Sequence, residues 1–287
     1  MPNLSFLHSI AKIPNDTATC NVYILGNGSM EFQILDKVPS NLSGYKKISG
    51  SSYVNKSTGE VHPYTKSSHR MNNPDVIKKS FSTLRRTILA NIVGDGSEVH
   101  AVLTFSTSEF IYQNLYPSIK NFIARLRYRY PAIEYIAVPE PHNDSSFHIH
   151  LILKNRDGSR LFIPHAELSD IWGNGRVWVR RIVKDDRIAA YLTSVSVNSN
   201  DGGKGAQLRY YPSYGRLYRC SRGIKKVYPL KMNYKQAKDL IGNRHLTFAK
   251  TIHVMRNNAD DTQTELNAIT YERYSLKTNI EDDSETE

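Results

Sequence analysis

Residues 133–154 run IEYIAVPEPHNDSSFHIHLILK: two apolar stretches, Ile133 to Glu140 and Phe147 to Lys154, with a short polar break between them. Both stretches have the length and alternation of β-strands. The break is too short for a parallel crossover, so an antiparallel hairpin is expected. Side chains alternate along a strand. Phe147, Ile149, Leu151 and Leu153 therefore share one face, and His148 and His150 share the other, roughly 6.6–6.8 Å apart. Two imidazoles on one face can share a divalent cation, since each offers a lone pair on a rigid ring. Across the hairpin, Glu140 could bring a carboxylate oxygen to the same ion. From the pattern alone, a pair of solvated histidines stays open as the alternative. No third alternating histidine follows, because position 152 is Ile. Neither does an Asp-His pair or a nearby downstream acid, because Leu151-Ile152-Leu153 and Lys154-Asn155-Arg156 come next. What remains is a two-histidine site with an acid upstream.

Outward from the hairpin, strand and helix signals alternate. Asn73 and Pro74 suit a helix start, and Ile77, Phe81, Leu84, Ile88 and Ile92 form an apolar stripe that stops near Gly94. VHAVLTFS (Val99 to Ser106) is a buried strand. Ile119, Phe122, Ile123, Leu126 and Tyr130 mark a second helix, with Lys120, Arg125, Arg127 and Arg129 on its other face. After the hairpin come a short helix from about Pro164 to Trp172, a strand RVWVRRI, and a helix KDDRIAAYLTSV from Lys184 to Val195. Trp172 and Trp178 are expected in the core. The fold class is therefore α+β, a central antiparallel sheet with flanking helices and ferredoxin-like character. NVYILGNGSMEFQIL earlier in the chain suggests two short strands around a turn, and residues 40–70 suggest loop.

The 287 residues carry a formal net charge of +11. Nine acids and two bases fall between Asn258 and Glu287, so residues 1–257 hold a net of +18. A body this basic points to a polyanionic partner, and without a basic amphipathic helix nucleic acid leads over membrane. Two cysteines, Cys20 and Cys220, exclude a disulfide scaffold and a four-cysteine zinc site. With no long apolar run and no signal-like N-terminus, a soluble cytoplasmic protein is expected. Four regions follow: residues 1–70 of unassigned role, a domain at 71–231, a helix and strand at 232–257, and an acidic, flexible tail at 258–287. Within the domain, residues 204–231 hold eight bases and no acid, interleaved with five tyrosines. Cations for phosphates and aromatic faces for unpaired bases are the combination that single-stranded DNA requires.

The order LTF (103–105), YIAVPE, HIH, IWGNGRV (171–177), AAYLTS (189–194) and CSRGIKK (220–226) resembles the rolling-circle replication initiators of bacterial plasmids and phages. These belong to the HUH endonuclease superfamily, named for a His-hydrophobic-His motif. The resemblance spans roughly Pro74 to Lys231. It implies His148, His150 and Glu140 as ligands of Mn²⁺ or Mg²⁺, and Tyr191 as the nucleophile that forms a 5′-phosphotyrosyl bond and frees a 3′-OH primer. It further implies origin DNA as substrate, with a host helicase and DNA polymerase as partners. Arg216, Arg219, Arg222, Lys225, Lys226, Tyr210 and Tyr214 would contact DNA. Tyr191 lies about 60° off the apolar stripe of its helix, so it can lean across the sheet edge. One position departs from the family: Ser194 stands where a lysine usually follows the tyrosine. Lys184, seven residues before Tyr191 on the same helical face, is a candidate substitute. A non-catalytic DNA- or RNA-binding protein on the same fold is the alternative. No GxxxxGK[ST] motif is present, so no helicase is fused to the chain.

Overall fold

The computed structural model describes residues 4–9, 11–37, 45–64, 74–106, 112–141, 147–183, 187–194, 211, 215–258, 260 and 262–276. The chain divides into two compact units, one of residues 1–65 with 228–287 and one of residues 66–227.

The first unit opens with β1 (Leu4–Ser9), β2 (Thr19–Ile24) and β3 (Met30–Leu35). The expected hairpin at NVYILGNGSMEFQIL is the β2–β3 pair. Three short strands then follow, β4 (Tyr45–Lys47), β5 (Ser52–Asn55) and β6 (Val61–Pro63). They form a small antiparallel sheet where the polar composition suggested only loop.

The second unit contains α1 (Pro74–Asn91), β7 (Asp95–Thr104), α2 (Tyr112–Arg129), β8 (Ile133–Pro141), β9 (Phe147–Asn155), α3 (His165–Trp172), β10 (Val177–Val183), α4 (Arg187–Thr193) and the two-residue β11 (Arg219–Cys220). The chain then returns to the first unit through β12 (Leu230–Asn233), α5 (Tyr234–Asp239), β13 (His245–Asn257) and β14 (Gln263–Ser275). There the six-stranded sheet runs β1-β13-β14-β3-β2-β12, and every neighbouring pair is antiparallel. Its core joins Cys20, Val22, Phe32 and Ile34 to Tyr234 and Ala237 of α5. Strand β14 is a correction, since the acidic pattern suggested a tail from residue 258. Ala268 and Thr270 are buried in the sheet, and Glu272 is buried where it accepts from Tyr234 and Tyr274.

The second unit holds a five-stranded sheet in the order β10-β7-β9-β8-β11, antiparallel throughout. The run β7-α2-β8-β9-α3-β10 with this order is the split βαβ arrangement of ferredoxin-like sheets. Two faces result. The odd-numbered residues Leu103, Ile149, Leu151 and Leu153 pack with Leu115, Phe122 and Leu126 of α2 and Leu168 and Trp172 of α3. Trp172 is fully buried, T-packed on Phe105 and Phe122, and its indole donates to the Thr104 carbonyl at 2.8 Å. Trp178 is the second correction. Strand β10 lies at the sheet edge, and this indole is 50% exposed rather than core. The opposite face carries the histidines. Helix α1 ends where Gly94 takes a left-handed φ of 77°, and it lies against α4.

Candidate metal centre and basic rim

The β8–β9 register sets Glu140 opposite His148 and Val138 opposite His150. Backbone pairing therefore brings a carboxylate and two imidazoles to one end of one face. Glu140 Oε2 is 2.8 Å from His150 Nε2 and 3.6 Å from His148 Nε2, and the two imidazole nitrogens are 2.9 Å apart. Ligands at right angles about an ion with bonds of roughly 2.1 Å would stand roughly 3 Å apart. Two of the three separations match this spacing and the third, Glu140 to His148, is wider, so two nitrogens and one oxygen are close enough to share one ion. Glu140, His148 and His150 are the group of potential ligands found together among the described residues.

Tyr191 on α4 lies at this cluster. Its ring stands edge-on to His150, with centroids 5.5 Å apart and planes at 81°, and it is 49% exposed. Burial and then the Glu140 carboxylate raise its phenol above the ordinary value, so it stays protonated at neutral pH. Ser194 does not take over a cationic role. Its hydroxyl donates to the Tyr191 carbonyl at 3.0 Å and closes the end of the helix. Lys184 lies outside the described residues.

Sequence reasoning missed His100. It is buried on β7, with Nε2 3.1 Å from His150 Nδ1 and its ring stacked on His150 at 5.3 Å. Burial, then the charges of His150 and Arg180, push it down to about 3, so it is neutral at working pH. An imidazole that lends Nε2 to a cation carries its proton on Nδ1, and for His150 that proton would face His100. The available signal was a lone histidine inside the apolar run VHAVLTF, which alternation places on the same face as Val102.

The basic segment is built on a frame. Ser221 Oγ accepts from the Tyr135 amide at 2.8 Å, and the Gly223 amide donates to Glu134 Oε2 at 3.3 Å. Buried Asn91 of α1 grips the Lys225 backbone at both ends, donating to its carbonyl at 3.0 Å and accepting from its amide at 2.8 Å. Gly223 must be glycine, because a Cβ there would fall 2.3 Å from the Glu134 carboxylate. With Ser221 and Ile224 buried, Arg222, Lys225 and Lys226 project into solvent. A cleft of about 680 Å³ lined by Arg127, Arg156 and Arg222 runs beside this segment, away from the histidines.

The other expected DNA contacts divide. Arg216 is exposed, whereas Arg219 stacks its guanidinium on the Tyr116 ring at 3.6 Å. Tyr210 and Tyr214 lie outside the described residues. Tyr211 is buried, donates to the Pro139 carbonyl and T-packs on Phe147. On α2, Arg129 pairs with Glu167 at 3.1 Å and Arg125 donates to the Trp172 carbonyl at 3.0 Å, so that helix face is partly committed to internal bonds.

Glu134 anchors the frame and gives a stability prediction. Its side chain is 2% exposed and holds Arg156 at 2.8 Å. Burial alone would raise its carboxyl. Hydrogen bonds from Ser221, Arg156 and Gly223, together with the Arg156 charge, outweigh this and hold it below the ordinary value. Glu134→Gln should cost about 2 kcal/mol at neutral pH, the order of hydrogen bonds to a charged group. A lowered folded value means the stabilisation is complete above the unfolded carboxylate's pKa and is lost as pH falls through the folded one. Melting curves of the two proteins should therefore differ at pH 7 and converge in acid.

These groups define a class of site: two histidines and a carboxylate arranged for a divalent cation, with a phenol beside them, on a ferredoxin-like antiparallel sheet. Residues 99–197, which include His100, Glu140, His148, His150, Trp178 and Tyr191, match the family of Replication-associated protein ORF2/G2P, a family of rolling-circle replication initiators. The fold and the His-Ile-His motif are consistent with the HUH superfamily. The match stops before the basic segment at 216–226. Neither curated proteins nor solved structures give a significant match.

Proposed function

We propose that this chain nicks and rejoins single-stranded origin DNA to start rolling-circle replication, with Tyr191 as nucleophile. The observation that carries this reading is the Tyr191 ring standing against His150, itself within 2.8 Å of Glu140. The Tyr191 oxygen attacks the scissile phosphorus, and the P–O3′ bond breaks. The phenolic proton leaves and the departing 3′ oxygen gains one, which yields a 3′-OH and a 5′-phosphotyrosyl ester. That ester conserves the phosphodiester bond energy, so no nucleotide cofactor is needed. Mn²⁺ or Mg²⁺ held by His148, His150 and Glu140 would supply the charge that polarises the phosphate. Mn²⁺ suits the imidazole donors better, since Mg²⁺ favours oxygen. Host helicase and polymerase would act on the primer that this cut exposes.

Charge supports DNA as the substrate. Residues 66–227 contain 25 of the 38 basic residues and 13 of the 27 acids, so this unit holds +12 and the remainder is close to neutral. If Arg222, Lys225 and Lys226 follow the backbone, neutralising all three should weaken binding to every sequence alike. The slope of log K against log salt should fall by about 2, from roughly 0.7 per single-strand phosphate contact. An unchanged slope would make the segment a bystander.

The alternative, a non-catalytic nucleic-acid binder, draws on Ser194, which bonds within its own helix in place of the family lysine. A labelled single-stranded oligonucleotide separates the two. With Mn²⁺, we expect a released fragment ending in a free 3′-OH and a downstream fragment linked to protein through its 5′ phosphate, whereas a pure binder leaves the strand whole.

A further inference from the structure

We infer that Trp178, with Arg180, forms a nucleotide subsite beside the candidate metal centre, in which the indole stacks on an unpaired base and the guanidinium meets a phosphate. The inference rests on DNA being the substrate and extends that reading to a specific contact. Tryptophan is usually highly buried, yet this indole is 50% exposed on edge strand β10. Its location is informative. Trp178 pairs with Val102, and Val102 pairs with His150, so all three lie in one row on the same face of the sheet. Two strand spacings, roughly 10 Å, separate the indole from the ligand histidine. At about 3.4 Å per stacked nucleotide, that is about three nucleotides of a single strand.

The indole is also held in place. It meets the edge of buried His100 at 5.6 Å and 77°, and His100 in turn stacks on His150. Its orientation is thus fixed by the same side chain that abuts the metal-ligand candidate. Arg180, exposed and opposite His100 in the ladder, places its guanidinium 5.6 Å from the indole centroid. A half-exposed indole with a cation over its ring, in line with a candidate site for phosphodiester chemistry, fits a single strand. Duplex DNA offers no unpaired base for it.

The test uses the full-length protein in EDTA, so neither metal binding nor cleavage enters. The probes are (dT)20 and an abasic strand of equal length, which has the phosphates but no bases. Of the two tryptophans, Trp172 is sealed in the core, so quenching of indole emission by (dT)20 should report Trp178. Trp178→Leu keeps an apolar cover over His100 but removes the aromatic face. It should bind (dT)20 about tenfold more weakly, the order of one lost base stack, and bind the abasic strand as the wild type does. Trp178→Phe should stay within about threefold on (dT)20 while abolishing the quench. Arg180→Gln should weaken both strands equally and lower the salt slope by about 0.7. Wild-type affinity in Trp178→Leu, or an equal loss on both strands at an unchanged melting temperature, would overturn the subsite alone. If the wild-type protein binds neither strand, the DNA reading falls and the subsite falls with it.

Discussion

Tyr191→Phe should form no covalent complex with an intact single-stranded origin oligonucleotide while binding that strand within about twofold of the wild type. The substitution removes one oxygen from a ring that is half exposed, so the packing around the ring is kept. The edge contact with His150 survives, because a phenylalanine ring occupies the same volume. Only the attacking atom is lost, and a bare benzene ring carries no lone pair with which to attack phosphorus. A denaturing gel gives the answer. Full adduct yield in the mutant would exclude Tyr191 and direct attention to another hydroxyl.

His148→Ala combined with His150→Ala carries the second large effect. Cleavage should fall by at least about a thousandfold, since a bound cation contributes several kcal/mol of charge stabilisation and each 1.36 kcal/mol is a factor of ten. Wild-type protein in excess EDTA should fall similarly and recover on addition of Mn²⁺. DNA binding should persist in both cases, because the exposed cations Arg222, Lys225 and Lys226 lie on a separate frame formed by Asn91 and Glu134. Undiminished cleavage in EDTA would remove the metal from the mechanism.

Much of the site was legible because it depends on local alternation. HIH puts two imidazoles on one face whatever the rest of the sheet does, and a short hairpin returns Glu140 to them. Tyr191 was different. It is one of 18 tyrosines, and only its place in the family order distinguished it. His100 was hidden because a buried histidine in an apolar strand looks like core until the neighbouring strand is known. Trp178 was misjudged for the same reason, since RVWVRRI does not reveal that its strand lies at a sheet edge. The frame under residues 221–226 depends on Asn91, 134 positions away, a contact no local pattern encodes. At the C-terminal end, net charge obscured the alternation in QTELNAITYERYS, which pairs with β3 more than 200 residues earlier.

Peptide mapping of the covalent complex provides the decisive measurement. Trypsin releases residues 188–204 as one peptide with a single tyrosine, Tyr191. After cleavage of a single-stranded oligonucleotide in Mn²⁺ and nuclease trimming, that peptide should carry the added mass of a 5′-linked nucleotide on Tyr191. A nucleotide on any other residue, or a cut strand ending in a free 5′-phosphate with no modified peptide, would contradict the account.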